Sequence, residues 1–280
     1  MKFVNSLDGS KIAYDQTGTG DPVILVDGAL CSRQLGPFPE TAQGLAEHYT
    51  VVHYDRRGRG DSSDESAGRF EIERELEDLQ ALIEQVGGRA SLVGMSSGGA
   101  LAIEAANRLP SVRQVVVYEV PFITDPEATF PPDYSPKLRK LVAAGRRSEA
   151  VRLFLRTVGM PAPLVQLMRI TPPFRKLKRV AHTLPYDAAL VADPLGAERE
   201  LPTRRWTSIQ APVTVIAGGK SPDSMRQANA DLAELLGAEY RTLDGQNHMI
   251  KGRALAPVLA QVLKAGRTAG PTAGTRGATA

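Results

Sequence analysis

The sequence is poor in cysteine, in long apolar runs and in net charge, and each shortage narrows its reading. A single cysteine, Cys31, stands among 280 residues, so no internal disulfide can form. No stretch approaches the ~18 continuous apolar residues of a membrane span. The opening MKFVNSLDGSK lacks the apolar run of a signal peptide. The expectation is a cytoplasmic protein with no membrane partner. The formal charge is only +3, from 34 Lys and Arg against 31 Asp and Glu. No basic stripe accompanies a nucleic-acid-binding motif, so nucleic acid is not an expected partner. The charge is uneven along the chain, net −7 over residues 1–123 and net +7 over residues 124–210. Mutual attraction of the two parts, or plain solvation of their surfaces, explains this better than a funnel for anionic substrates.

What is present is alternation. Short apolar runs exchange with helical patterns, which argues for a mostly parallel α/β sheet. KFVNS and KIAYDQT flank the turn signal LDG and read as a hairpin. PVILVD (22–27), TVVHYD (50–55), ASLVGM, VRQVVVYEV (112–120), PVTVIAGG (212–219) and AEYRTLDG read as further strands. Residues 70–87 carry Ile72, Leu76, Leu79, Leu82, Ile83 and Val86 at helical spacing. GGALAIEAANRL, DSMRQANADLAELLG and RALAPVLAQVLKAG read as helices. From about 124 to 210 the alternation stops. Short helical pieces such as SPKLRKLVAAG, SEAVRLFLRTVG and PLVQLMRI replace it. The plan is a scaffold over 1–123, a helical lid over 124–210, a return to the scaffold over 211–265 and a disordered tail over 266–280. An insertion of that length between strands commonly covers a site.

Gly94-Met95-Ser96-Ser97-Gly98 carries the chemistry. G-x-S-x-G alone is weak, because small residues gather in many turns. Here it follows a strand and opens a helix, the setting that lifts a serine onto a sharp turn above a helix N-terminus. Ser96 is the central serine, and Ser97, one position on, points elsewhere. A serine hydroxyl needs a base. Of four histidines, His48 and His53 flank a strand and His182 lies in the insertion. His248, in DGQNHMI, sits in a loop between the last strand and the last helix. That places it at the carboxyl edge of the sheet, where Ser96 stands.

VILVDGA, VVHYDRRGRGDSS, LVGMSSGGAL and DGQNHMIK together resemble the α/β-hydrolase fold superfamily over roughly residues 10–265. The resemblance implies a mostly parallel eight-stranded sheet with an inserted helical lid. It implies backbone oxyanion donors at Ala29 and Ser97. It makes Asp55, Arg57, Gly58, Gly60 and Ser62 a bracing turn. Two departures stand out. Asp27-Gly28-Ala29 replaces the usual His-Gly, which brings an anion near the oxyanion loop. The usual G-x-x-D after the strand at 212–217 is missing, because Ser221 follows Gly218-Gly219-Lys220. Two acids can replace it. Glu119 ends the strand after the elbow, where haloalkane-dehalogenase-like members carry an acid. Asp223 is the alternative, although it equally suits capping the next helix.

A serine nucleophile suits attack on a carbonyl carbon, with an oxyanion in the tetrahedral intermediate. The expectation is a serine hydrolase in which Ser96 attacks an ester, lactone or similar activated carbonyl, His248 moves the proton and Glu119 orients His248. Its substrate is a small, mostly apolar molecule, and neither a metal nor an organic cofactor is called for. Two rivals stay open: epoxide-opening, lyase or acyl-transfer chemistry on the same scaffold, and non-catalytic ligand binding. Cys31 follows the oxyanion loop with no base beside it. Phe130, Tyr134, Phe154, Met160, Phe174, Tyr186 and Trp206 read as core of the insertion rather than as a binding set.

Overall fold

A computed structural model describes residues 1–66, 69–128, 130–196 and 198–268. Eight strands form one sheet: β1 (Lys2–Asn5), β2 (Lys11–Thr17), β3 (Asp21–Val26), β4 (Tyr49–Tyr54), β5 (Ala90–Met95), β6 (Val112–Tyr118), β7 (Val213–Gly218) and β8 (Glu239–Leu243). Their order is β1-β2-β4-β3-β5-β6-β7-β8. β1 and β2 form the expected antiparallel hairpin, closed by a turn in which Asp8 accepts from the Ser10 N–H at 2.9 Å. β2 runs antiparallel to β4, and every later pairing is parallel. The central parallel strands β3, β5, β6 and β7 are largely apolar on both faces because helices cover both, whereas the edge strand β8 is polar and mostly exposed. Their side chains alternate between two cores. Ile24, Val26, Val115 and Val117 face one, and Val23, Leu25, Val116 and Tyr118 the other.

The first core is closed by α2 (Ile72–Gln85), α3 (Ser97–Arg108) and α9 (Asp223–Leu236). The second is closed by α1 (Phe38–Leu45) and α10 (Gly252–Thr268). The sequence pattern did not announce α1. Pro37, Pro39 and Gly44 give it the look of a loop, yet Phe38, Ala42 and Leu45 bury one stripe against the sheet. α10 continues to Thr268, beyond the boundary expected at 265. The rest of the expected tail, 269–280, lies outside the described residues.

Between β6 and β7 the chain forms α4 (Tyr134–Ala143), α5 (Arg147–Thr157), α6 (Ala162–Met168), α7 (Pro172–Val180) and α8 (Leu184–Val191). These helices hold an apolar cluster of their own, including Tyr134, Leu138, Val151, Leu155, Val165, Phe174 and Leu184. Leu30, from the loop after β3, is buried in that cluster, so the insertion packs directly on the loop beside Ser96. Phe130, Phe154 and Met160 also pack there. Trp206 instead stacks on Phe122 against the sheet, ring centroids 5.2 Å apart. Among the described residues no helix is long and apolar enough to cross a membrane.

Candidate active site

Ser96 is the first residue past β5 and the residue before α3. Its φ of 54° and ψ of −126° are conformations an L-residue adopts only at a cost of ~1–3 kcal/mol. The glycines on either side make the turn possible. A methyl at Gly94 would fall on the Gly98 carbonyl, and one at Gly98 would meet the Val26 and Asp27 carbonyls, 2.5 Å from the latter. The Ser96 N–H donates to Tyr118 O at 2.9 Å, which ties the elbow to the end of β6.

That end carries Glu119. β5 and β6 pair Met95 with Tyr118, so Ser96 and Glu119 are the first residues beyond two adjacent parallel strands. Such strands lie ≈ 4.8 Å apart, which sets the two residues side by side. Glu119 also has a positive φ, 50°, and its side chain is fully buried. Its Oε1 accepts the Gly218 N–H at 2.7 Å and the Ser221 hydroxyl. Its Oε2 is 2.9 Å from His248 Nδ1. A carboxylate only accepts, so Nδ1 carries the proton and Nε2 is left as the acceptor. Asp223, the other candidate acid, stands at the start of α9 with its side chain 93% exposed and paired to Arg226. The acid beside His248 is therefore Glu119.

The loop after β3 passes over the serine. A methyl on Gly28 would lie 3.1 Å from Ser96 Cβ and 3.7 Å from its Oγ. Ala29 follows, then Leu30 with φ 60°. The Ala29 N–H donates to no group among the described residues. The Ser97 N–H, in the open first turn of α3, is equally free among them. Two unengaged donors thus stand on the two segments that flank Ser96.

Asp27 is buried just before this loop. His53 Nε2 lies 2.7 Å from Asp27 Oδ2, so the anion is taken up rather than aimed at the serine. Burial still pushes the Asp27 carboxyl above its ordinary pKa, with His53 acting against it. Burial, with the Asp27 charge adding to it, also raises the Cys31 thiol to about 12, which leaves no reactive thiolate near neutrality.

The turn that carries Asp55, Arg57 and Ser62 is tied down by polar bonds to several segments. The Asp55 carboxylate accepts the Arg33 N–H and side chain and the Asp61 N–H. Ser62 bonds Asp55 O and receives the Ala13 N–H, and Arg57 forks onto Asp78. The other two arginines of the RRGRG run were missed by the sequence reading. Arg56 and Arg59 are buried and both reach Asp187 of α8. The signal was available: an acid inside the apolar stretch YDAALV needs a buried cation. Among the described residues no group of three or more His, Cys, Asp or Glu side chains could hold a metal ion.

With sheet order, elbow and histidine loop in place, likeness to known proteins completes the placement. The chain matches the alpha/beta hydrolase family over residues 12–257, and it belongs to that family of enzymes. It is similar to a crystal structure of an alpha/beta hydrolase from Sphaerobacter thermophilus, with 42% identity and a TM-score of 0.82 over 94% of this chain and 100% of that one. It is similar to the serine hydrolase BPHL of Homo sapiens, 31% identical over 129 residues, 44% of each chain. An enol-lactonase from Burkholderia xenovorans shares the fold at 18% identity and a TM-score of 0.68, over 96% of this chain and 100% of that one. The chain spans about half the length of the curated relatives it matches.

Proposed function

We propose that the protein is a serine hydrolase that cleaves an ester, lactone or similarly activated carbonyl of a small, mostly apolar molecule through an acyl-enzyme on Ser96. The observation that carries this reading is the His248–Glu119 hydrogen bond, formed on the residue next to the strained Ser96. Glu119 holds the Nδ1–H tautomer, so Nε2 takes the serine proton as Oγ attacks the carbonyl carbon. The tetrahedral oxyanion is received by the N–H groups of Ala29, in the loop after β3, and of Ser97, at the start of α3. The imidazolium, stabilised by buried Glu119, then protonates the leaving oxygen. Water, deprotonated by His248, repeats the attack on the acyl carbon and frees Ser96.

The insertion acts as the lid in this scheme. Its apolar cluster takes in Leu30 and packs against Ala29, which supports an apolar acyl or alcohol group beside the oxyanion loop. Epoxide-opening or lyase chemistry that would use Asp27 loses support from its pairing with His53, while acyl transfer would share the Ser96 acyl-enzyme and differ only in its acceptor. The test is intact-mass labelling with a fluorophosphonate. One adduct on wild type, mapped to Ser96 and absent from Ser96→Ala, is the expected result. A wild-type protein that stays unlabelled would overturn the reading.

A further inference from the structure

Arg56 and Arg59 do more than anchor α8. Arg59 Nη1 donates to Gly28 O at 2.7 Å, and Arg56 Nη1 donates to Asp27 O at 3.2 Å. These are the carbonyls of two consecutive peptide groups in the loop over Ser96. The Gly28 carbonyl belongs to the same peptide group as the Ala29 N–H, one of the two free donors. On the other side, Asp187 Oδ1 accepts the Ser97 hydroxyl at 2.7 Å, and Ser97 carries the second free donor. Asp187 also takes Arg56 at 2.9 Å and Arg59 at 2.8 and 2.9 Å on its two oxygens. Arg59 Nε reaches Thr183, also in the insertion, at 3.1 Å. Glu75 binds both Arg56 nitrogens that Asp187 leaves, at 2.6 Å each, so two cations face two anions.

We propose that Asp187, Arg56 and Arg59 are positioning residues for the oxyanion hole, joining both of its N–H donors to the insertion through one buried network. The inference rests on the serine-hydrolase reading of Ser96. Two physical effects support it. A guanidinium on a peptide oxygen draws density from the amide and makes its N–H a stronger donor, which Arg59 does for Ala29. The geometry is also fixed twice. Arg59 cannot shift without leaving Gly28 O, Thr183 or Asp187, and Asp187 cannot shift without releasing Ser97. Burial alone would raise the Asp187 carboxyl, but Arg59 and Arg56 outweigh it and hold it below the ordinary value. The carboxylate is thus ionised at neutral pH. In this arrangement the donors are aligned only while α8 is seated. A buried network of this kind is weak evidence for stability, whereas fixing one geometry is a recognised use of it.

The test follows phosphonylation of Ser96 by a fluorophosphonate across a concentration series, separating the maximal rate kinact from the half-saturating concentration KI. The developing phosphoryl oxyanion occupies the same donors as a tetrahedral carbonyl intermediate. Asp187→Asn and Arg59→Lys are expected to lower kinact by about 10- to 100-fold, below the ~10²–10³ of deleting a donor outright. KI should stay within about threefold. Asp78→Asn breaks the Arg57 pair without touching the loop. It should lower the melting temperature and leave kinact per folded molecule unchanged. A purely structural role for Asp187 would give that same pattern in Asp187→Asn, and such a result would overturn the inference. If wild type itself is not labelled, the nucleophile assignment fails and takes the inference with it. If wild type is labelled and both variants match it, the inference alone fails.

Discussion

Glu119→Gln tests the site with the least change in shape. Glu119 Oε1 already accepts two donors, Gly218 N–H and Ser221 Oγ–H. Glutamine has one carbonyl oxygen, and those two donors claim it. Its NH2 must then face His248 Nδ1, where Glu119 Oε2 now sits at 2.9 Å. Nδ1 becomes the acceptor, the ring proton moves to Nε2, and the histidine can no longer take a proton from Ser96. Flipping the amide to restore the tautomer sets NH2 against the buried Gly218 N–H, a loss of ~1–3 kcal/mol. The charge that stabilises the imidazolium is gone in either orientation. We expect kcat per active site to fall by ~10³–10⁴, about 4–5.5 kcal/mol of transition-state stabilisation. Ester hydrolysis, normalised by active-site titration, measures it, with thermal melts confirming a folded protein. Asp223→Asn should stay within about twofold, since its side chain is exposed and paired to Arg226. Glu119→Gln retaining activity within tenfold would refute the reasoning.

His53→Ala leaves Asp27 buried without its partner, and breaking such a pair costs about 3–5 kcal/mol in urea unfolding. Asp27 has a folded-state pKa above its unfolded value, so its charge burdens the fold above that pKa and ceases to as pH falls towards 3.8. The variant's deficit should therefore narrow from pH 7 to pH 4, and a deficit independent of pH would refute this. Native Cys31 should react with iodoacetamide at pH 8 ~10³-fold more slowly than a free thiol, because its pKa of about 12 leaves little thiolate. Complete alkylation within minutes would contradict it. Gly98→Ala should abolish soluble, folded protein or strip it of Ser96 labelling, because the new methyl meets two backbone carbonyls that cannot swing aside. A stable, fully labelled Gly98→Ala protein would show that the elbow tolerates a wider turn.

Much of this protein was legible because its signals are local. The central parallel strands are apolar runs, and the elbow is spelled by five consecutive letters. Glu119 was legible as an acid ending a buried strand. Choosing it over Asp223 needed the spatial meeting of β6, the end of β7 and the histidine loop. α1 was hidden because two prolines and a glycine mask its buried stripe. The Asp27–His53 pair is a matter of register: Leu25 pairs with His53 across β3 and β4, and Asp27 lies two residues on, towards the same face. A sequence does not print that register. The Arg56–Asp187 and Arg59–Asp187 bonds span 131 and 128 residues, so only the folded chain reveals them.

The buried arginines bear on how freely the helical insertion can be exchanged. Excising α4–α8, or grafting in a foreign set of helices, would strand two guanidinium groups against the roof of the sheet with one counter-ion, Glu75, between them. A replacement cap must bring its own carboxylate to the place of Asp187, or arrive together with neutral residues at 56 and 59. The cap and the RRGRG run are in that sense one inheritable unit, although their joined ends stand 128 positions apart in the chain.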